Sequence, residues 1–435
     1  MRTNTAVKPV LNHEGLNVRH LPPIEELKRT ALACLLWEDN FYESGESVAE
    51  RIKKLVPLCA PEDVANLAIE AREKQRLRHL PLFLVRELAR DSKRCHNGLI
   101  ATTLCRVIQR ADELAEFLAM YWLDGKKPLA KQVKKGLACA FGKFNEYALA
   151  KYNRDATVKL RDVLFMVHPK PKDKEQEDLW KRLVEGKLNT PDTWEVALSG
   201  GADKKQAFER LLAEDKLGYL ALLRNLRNMQ QAGVDPALVF NALHKGAANS
   251  KALPFRFIAA ARAVPAWEAE IDKAMQVALA GVDKLPGSTA LLIDVSGSMK
   301  SPLSKNGDLS RLDAAAALAI LVRGICENVR IFTFSNDLIE VAPRQGMALA
   351  DAVIKSQEHG GTYLGRALKT LNSTVNADRL IVITDEQSHD QVDSPTCKGY
   401  MINVATYKNG IDYGDWVKIS GFSESVINYI AAAEK

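Results

Sequence analysis

The sequence has few aromatic residues and no long hydrophobic run. Phe, Trp and Tyr make up 7% of its 435 residues, and no segment approaches the roughly 18 apolar residues that a membrane span needs. The first ten residues, MRTNTAVKPV, also lack the apolar core of a secretory signal. These absences predict a soluble protein that stays in the cytoplasm.

Cysteine is scarce and has no metal-binding pattern. The chain contains no C-x-x-C pair, and its histidines do not occur at zinc-finger spacing. We therefore expect the cysteines to be small buried hydrophobic residues in a reducing compartment, and not disulfides or metal ligands. The seven are Cys34, Cys59, Cys95, Cys105, Cys139, Cys326 and Cys397.

The composition is that of a globular protein, with 47% hydrophobic and 26% charged residues and room for two or three domains. The net charge of +6 is uneven. Residues 281–435 contain 15 basic and 18 acidic residues, a net of −3, whereas residues 1–280 contain 45 and 36, a net of +9. A basic half suggests a polyanionic partner. A solvated helical surface is the alternative, and charge alone does not separate the two.

The hydrophobic pattern divides the chain near residues 281–288. Before this point, apolar residues recur at helical spacing with short connections, which predicts an α-solenoid of paired, HEAT-like helices. After it, apolar strand patterns such as TALLIDVS and DRLIVITDE alternate with helices, which predicts a doubly wound parallel sheet. We place the two predicted domains at 1–283 and 284–435.

Five oxygen-bearing side chains follow predicted strands or glycines in the second domain. Asp294, Ser296 and Ser298 end the first strand, Thr362 follows two glycines, and Asp385 closes a later strand. Because ligands bind at the carboxyl ends of parallel strands, these oxygens suit a hard divalent cation such as Mg²⁺. The alternative is a D-x-S-x-S turn and an aspartate that caps a helix.

Residues 286–435 resemble a von Willebrand factor A domain with a metal-ion-dependent adhesion site, on the ordered motif D-x-S-x-S, Thr, Asp. The resemblance implies that Ser296, Ser298 and Thr362 bind the metal directly, and that Asp294 and Asp385 do so directly or through water. It also implies a protein partner that binds through this site. No base or nucleophile is evident beside it, so we predict no enzymatic activity.

The densest basic segment is residues 134–172, with nine Lys and Arg against three Asp and Glu. If NEYALAKYNR is helical, Tyr147, Lys151 and Arg154 share one face while Leu149 packs inward. Cations beside aromatic rings suit a phosphate backbone with exposed bases. Solvated surface lysines, with His168 as a helix cap, are the alternative.

Several motifs resemble the TROVE domain, the helical-repeat ring of the Ro family and of a telomerase-associated protein: KKGLACAFGKFNEYALAKYNR, KLRDVLFMVHPKP, TWEVALSGG, ALLRNLRNM and LPFRFIAAAR. A TROVE domain followed by a von Willebrand A domain is the layout of Ro proteins, in particular the bacterial members. The resemblance implies a monomeric ribonucleoprotein scaffold in RNA quality control that binds a small noncoding Y-like RNA outside the ring and single-stranded or misfolded RNA ends in its hole. An exoribonuclease is an implied partner.

The resemblance also implies two sets of RNA contacts. The implied Y RNA surface contains Lys134, Lys135, Lys143, Lys151, Arg154, His168 and Lys170. The candidates for the hole are Arg76, Arg78, Arg86, Arg224, Arg227 and Arg256, although helix arginines as often bridge neighbouring repeats.

Two other functions remain open on the sequence. The A domain could be the functional part, a metal-dependent platform for protein binding with the helices as a spacer. A ribonuclease is less favoured, because the predicted metal ligands lie in the acidic part of the chain. If the first twenty residues pack back onto the A domain, contacts between the ends of the chain would close the ring.

Overall fold

The computed structural model of the chain describes residues 10–11, 17–18, 22–32, 45–74, 77–91, 95–153, 155–199, 203–250, 252, 254–280, 284–302, 309–405, 415–420 and 430. Two compact units are present, one of Ala49–Gly200 and one that combines Met1–Val48 with Gly201–Lys435. The boundary at 283 that the change of pattern suggests stays a prediction.

The part of the chain before residue 281 is helical in its described residues, apart from a short antiparallel pair of strands, β1 (Val10–Leu11) and β2 (Asn17–Val18). The helices are α1 Pro23–Leu32, α2 Gly45–Leu55, α3 Pro61–Glu73, α4 His79–Arg90, α5 Leu99–Val107, α6 Asp112–Tyr121, α7 Lys131–Phe141, α8 Glu146–Tyr152, α9 Leu160–Val167, α10 Lys174–Glu185, α11 Trp194–Ser199, α12 Lys204–Ala213, α13 Tyr219–Gln231, α14 Pro236–Ala247, α15 Pro254–Ala263 and α16 Glu268–Ala280.

Local sequence explains where several of these helices begin and end. Pro61 occupies the first position of α3, where its missing N–H costs nothing, and two acidic residues follow it in the first turn. Asp173 starts α10 by accepting a hydrogen bond from the N–H of Gln176, and Gly186 ends this helix at φ 71°. Helices close in sequence then pack together through buried apolar faces, as α3 does with α4.

Helices α5 and α7 approach each other closely at Gly136. A Cβ atom at this position would lie 2.9 Å from both the Ala101 carbonyl oxygen and the Leu104 Cβ. Cys105 of α5 and Cys139 of α7 form a disulfide across the same contact, with Cα atoms 5.7 Å apart. The prediction of unpaired cysteines is therefore wrong for these two, because helix pairing joins residues that lie far apart in sequence.

The second part of the chain forms a six-stranded sheet in the order β5-β4-β3-β6-β7-β8. All neighbours are parallel except β4 and β5, which pair antiparallel at one edge. The strands are β3 Leu285–Asp294, β4 Cys326–Phe334, β5 Leu338–Val341, β6 Arg379–Thr384, β7 Lys398–Asn403 and β8 Val417–Ser420. The predicted α/β class with a mostly parallel sheet is confirmed, and β5 is the strand that pairs antiparallel.

Three helices complete this part: α17 Arg311–Ile325, α18 Gly346–Ile354 and α19 Leu364–Thr374. The apolar face of α19 packs with β3, β4, β6 and β7 in one core that includes Leu292, Phe334 and Leu368. β3 and β6 are buried along their last six residues, as expected for central parallel strands. The predicted C-terminal helix lies outside the described residues, apart from Ile430.

Candidate metal centre and candidate nucleic-acid interface

The first loop of the candidate metal centre follows β3. Asp294 ends this strand, and its Oδ1 accepts a 2.9 Å hydrogen bond from the backbone N–H of Ser296. The next N–H, of Gly297, donates to the carbonyl of Gly360 at 3.0 Å. The D-x-S-x-S loop is therefore folded over the strand end and tied to the segment that leads to Thr362.

The neighbouring strand β6 brings Asp385 to the same place. Thr384, its last residue, donates from Oγ1 to Asp294 Oδ2 at 2.7 Å. Ser298 Oγ donates to Asp385 Oδ2, and the hydroxyl oxygens of Ser296 and Ser298 are 3.3 Å apart. Parallel pairing of β3 with β6 thus brings four of the five predicted ligands into one cluster of oxygen atoms.

The fifth predicted ligand, Thr362, lies in the loop before α19. Its N–H donates to Nδ1 of His389 at 3.0 Å, and its carbonyl accepts from the N–H of His389 at 2.8 Å and from Ser388 Oγ at 3.2 Å. The His389 ring also stacks on Tyr363, with centroids 5.3 Å apart. His389 therefore positions the Thr362 loop beside the segment that follows Asp385.

The electrostatics of this cluster fit a cation. Asp294 and Asp385 are fully buried, and burial together with the charge of Asp385 raises the pKa of Asp294 to about 7. The guanidinium of Arg311 is 3.9 Å from Asp385 Oδ2. The two buried carboxylates and the hydroxyls of Ser296 and Ser298 offer only hard oxygen donors, the ligand type that Mg²⁺ prefers. The donor set suits a hard divalent ion, which would offset the repulsion between the two carboxylates.

A buried ion pair next to this cluster had no signal in the sequence. Glu386, which follows Asp385 with φ 60°, binds Nη1 of Arg29 on α1, and both side chains are almost fully buried. The two residues are 357 positions apart, so no local pattern links them. Packing of the first twenty residues onto the A domain stays a prediction, because most of them lie outside the described residues. The contact described here comes from α1.

A basic groove brings four of the predicted RNA contacts together. Lys134 and Lys135 of α7 line it with His168 and Lys170, which follow α9, and its volume is about 530 Å³. His168 ends α9 in the left-handed conformation at φ 46°, which turns the chain toward α7. His168 is thus the helix cap that the sequence offered as the alternative reading, and it also lines the groove. Lys131, which was not among the predicted contacts, also lines the groove. It lies three residues before Lys134 and four before Lys135, and so on the same face of α7.

Two other predicted RNA contacts, Lys143 and Lys151, are not among the described residues that line the groove. The ammonium of Lys143 donates to the carbonyls of Cys105 and Ile108 at the end of α5, and burial lowers its pKa. Lys151 is half-buried, 5.9 Å from the ring centre of Tyr147 and 4.0 Å from the carboxylate of Glu195. Arg154 lies outside the described residues.

The two described hole candidates in the Ala49–Gly200 unit, Arg78 and Arg86, are engaged in ion pairs. Arg86 is 1% exposed, and its guanidinium binds Glu87, Asp124 and the carbonyl of Met120. Its side chain therefore bridges helices, which is the alternative that the sequence left open. Arg86 is not accessible to RNA, contrary to the prediction for the hole.

Arg78, from the same predicted set, also binds acidic residues, although it is partly exposed. Its Nη2 donates to Asp112 at 2.7 Å and to Glu116. The remaining member of this unit, Arg76, lies outside the described residues.

The hole candidates of the other unit are exposed. Arg224 and Arg227 project from α13, and Arg256 projects from α15. Partial burial and the charge of Arg224 lower the pKa of Arg256, which indicates that these two cations lie near each other. These three arginines are the hole candidates that the structure leaves accessible.

Comparison with known proteins identifies two domains. The TROVE domain model matches residues 176–302, and the Ro60 vWA domain model matches residues 289–398. The chain therefore has a TROVE domain and a Ro60-type vWA domain. The basic groove precedes the region that the TROVE model matches, whereas all five predicted metal ligands lie inside the Ro60 vWA match.

Individual proteins are similar to this chain over different lengths. The crystal structure of the Deinococcus radiodurans RO (RSR) protein matches with a TM-score of 0.60 at 21% identity, over 95% of this chain and 100% of that one, which supports the fold. Telomerase protein component 1 of Mus musculus is 31% identical over 222 residues, and that of Rattus norvegicus is 28% identical over 214. These matches cover 47% and 45% of this chain, but the chain spans only 8% of either relative.

Proposed function

We propose that this protein is a Ro-family RNA-binding scaffold, and the basic groove is the observation that carries the proposal. Three lysines within five residues of α7 face Lys170 and His168 across a space of about 530 Å³. Cations converging on one groove suit phosphate groups, because each neutralised phosphate releases bound counterions. A small structured, Y-like RNA fits this surface, which lies on the outside of helices α7 and α9.

Exposed aromatic side chains near this groove in sequence extend the proposal to RNA bases. Phe165 is exposed on α9, three residues before His168, and Tyr147 is exposed on α8 beside Lys151. Such rings stack on unpaired bases and tolerate any sequence. In this proposal, single-stranded ends of misfolded RNAs bind the accessible arginines Arg224, Arg227 and Arg256. The RNA is held for an exoribonuclease in the cytoplasm, and the scaffold itself is not catalytic.

The A domain has a separate role in this proposal. It would hold a divalent ion, and Mg²⁺ is the ion to test. The ligands would be the side-chain oxygens of Asp294, Ser296, Ser298, Thr362 and Asp385. When bound, the ion supplies a coordination position for an acidic group of a partner protein. Residues of the chain itself do the rest: Thr384 and Ser296 orient the Asp294 carboxylate, and His389 positions Thr362.

Sequencing of the RNA that copurifies with the protein tests the RNA-binding function. We expect one abundant small RNA with the unaltered chain and its loss from the Lys134→Glu/Lys135→Glu/Lys170→Glu variant. The matched control is Lys204→Glu/Lys205→Glu, which reverses exposed charges on α12 outside the groove. The control should keep the RNA.

The same samples distinguish the second function, a metal-dependent protein-interaction platform, which the all-oxygen cluster favours. If neither the unaltered protein nor the variants enrich an RNA, while a protein partner binds with Mg²⁺ and is released by a chelator, the platform replaces the RNA scaffold as the function. RNA that remains on the groove variant would disprove the location of the RNA surface.

A further inference from the structure

The disulfide between Cys105 and Cys139 lies on an accessible surface of the helical part. Cys139 is exposed and Cys105 is half-buried, whereas Cys59, Cys95 and Cys326 are buried. A small oxidant or a reducing dithiol can therefore reach this pair directly. Structural disulfides are usually formed once, while accessible ones exchange with the surrounding thiols.

The packing of α5 against α7 alone brings Cys105 and Cys139 close enough to form a disulfide. Gly136 lets the backbones approach, since even a Cβ would be 2.9 Å from the Ala101 carbonyl oxygen. Cys139 is three residues after Gly136, on the same side of the helix. The Cα separation of 5.7 Å is within the usual range for a disulfide.

Other contacts hold the two helices together when the cysteines are reduced. Gln132 at the start of α7 accepts from the N–H of Ile100 at 3.0 Å and donates to the carbonyl of Cys95 at 3.1 Å. At the other end, Lys143 donates to the carbonyl of Ile108 at 2.6 Å. Reduction should therefore loosen the helix pair without unfolding it.

The disulfide is next to the basic groove. Lys135, which lines the groove, is one helical turn before Cys139, so both project from adjoining strips of α7. A covalent link to α5 restricts rotation and fraying of the helix that supplies three groove lysines. Fixing binding groups in place before RNA arrives lowers the entropic cost of binding.

We propose that Cys105 and Cys139 form a reversible redox site that controls the rigidity of the α7 side of the basic groove, so that the oxidised protein binds RNA more tightly. The effect on RNA rests on the function proposed above. With hydrogen peroxide as oxidant, one thiolate attacks a peroxide oxygen, which gives a sulfenic acid and one water after proton transfer. The second thiol attacks that sulfur and expels a second water, and a reducing dithiol returns both thiols.

The experiment uses the full chain with hydrogen peroxide, then dithiothreitol. Peptide mass spectrometry should show a Cys105–Cys139 cross-link that appears with peroxide, lowers the mass by about 2 Da and disappears with dithiothreitol. Affinity for the copurified small RNA should be about three- to tenfold higher in the oxidised form. The Cys105→Ser/Cys139→Ser variant should bind at the reduced level in both conditions, and Cys397→Ser should respond as the unaltered protein does.

Each other outcome has a separate meaning. If the cross-link does not form, or forms while the two redox forms bind RNA equally, the inference is wrong and the RNA function stands. If neither form binds RNA, the proposed RNA function is wrong, and the regulation proposed for it is wrong with it. A redox response that persists in the double-serine variant would also overturn the inference, because it would come from another cysteine.

Discussion

Asp294 carries a charge that the fold disfavours, and this sets the pH dependence of the metal-free protein. Its pKa is raised to about 7, mainly by burial, whereas an aspartate in an unfolded chain titrates near pH 3.9. The raised pKa means that protonated Asp294 adds to the free energy of unfolding. This contribution is complete below about pH 4 and is lost as the pH rises through about 7. We expect the free energy of unfolding in chelator to fall across this window, and to fall less in Asp294→Asn, as measured by urea unfolding.

Magnesium should reverse this loss at neutral pH. An ion that binds only the folded state at about 100 times its dissociation constant adds about 2.7 kcal/mol. The unaltered protein should gain thermal stability on addition of Mg²⁺, and Asp294→Asn should not. Asp378→Asn is the control, because this exposed carboxylate precedes β6 and binds Ser288, outside the cluster. An equal gain in Asp294→Asn would place the ion elsewhere.

The buried carboxylate of Asp313 stabilises the fold. It accepts hydrogen bonds from Arg262 and from the N–H and hydroxyl of Ser310, which hold its pKa below the usual range despite burial. This contribution is present above about pH 4 and is lost as the pH falls through the lowered pKa. Asp313→Ala should therefore cost about 2 kcal/mol at neutral pH in urea unfolding.

An exposed ion pair provides the control for Asp313. Arg330 and Glu340 form two hydrogen bonds of 2.8 and 2.7 Å, yet both side chains are about half exposed. Solvent screening limits such a pair to about 1 kcal/mol or less. Equal losses for Asp313→Ala and Glu340→Ala would show that burial does not set the difference.

Among the helices, the α5–α7 contact depends on the absence of one side chain. In Gly136→Ala the new Cβ meets the backbone of Ala101 and the Cβ of Leu104, so the helices must separate. Overpacking costs about 1–3 kcal/mol, and the gain in helix propensity offsets about 1 kcal/mol of this. Because the contact is with backbone, we expect a net loss of up to about 2 kcal/mol, measured by urea unfolding.

Gly142 at the end of the same helix is the matched position. A Cβ there would lie 3.6 Å from its nearest neighbour, the Cys139 carbonyl oxygen, and its φ of −64° suits any residue. Gly142→Ala should be neutral or slightly stabilising. Destabilisation by both variants to the same extent would show that close packing at Gly136 is not the cause.

The sequence predicts helices and strands well where their residues show a strong local pattern. The apolar run of β3 and its D-x-S-x-S ending place Asp294, Ser296 and Ser298 correctly at the strand end. β5 was not predicted, because four residues, LIEV, are too short for a period to be recognised. The ion pair of Arg29 with Glu386 and the Cys105–Cys139 disulfide could not be predicted, since tertiary packing alone brings these residues together.

At the scale of the whole molecule, charge is unevenly distributed along the chain. The net charge is +9 in residues 1–280 and −3 in residues 281–435, and the groove concentrates Lys131, Lys134, Lys135 and Lys170. This segregation predicts RNA binding that weakens steeply with salt, while metal-dependent protein binding by the acidic part should vary little. Composition predicted the segregation, but the fold was needed to show that Lys143 and Arg86 are already engaged.

The salt dependence of RNA affinity reports how many lysines contact phosphates. Each phosphate contact contributes about 0.7 to 0.9 to the slope of log affinity against log salt, so Lys134→Ala/Lys135→Ala/Lys170→Ala should reduce the slope by about 2 to 3. Lys204→Ala/Lys205→Ala removes two exposed charges from α12 and should leave it unchanged. Fluorescence anisotropy with the copurified RNA from about 50 to 300 mM salt measures both. A triple variant that binds more weakly with an unchanged slope would mean that these lysines support the surface without contacting phosphates.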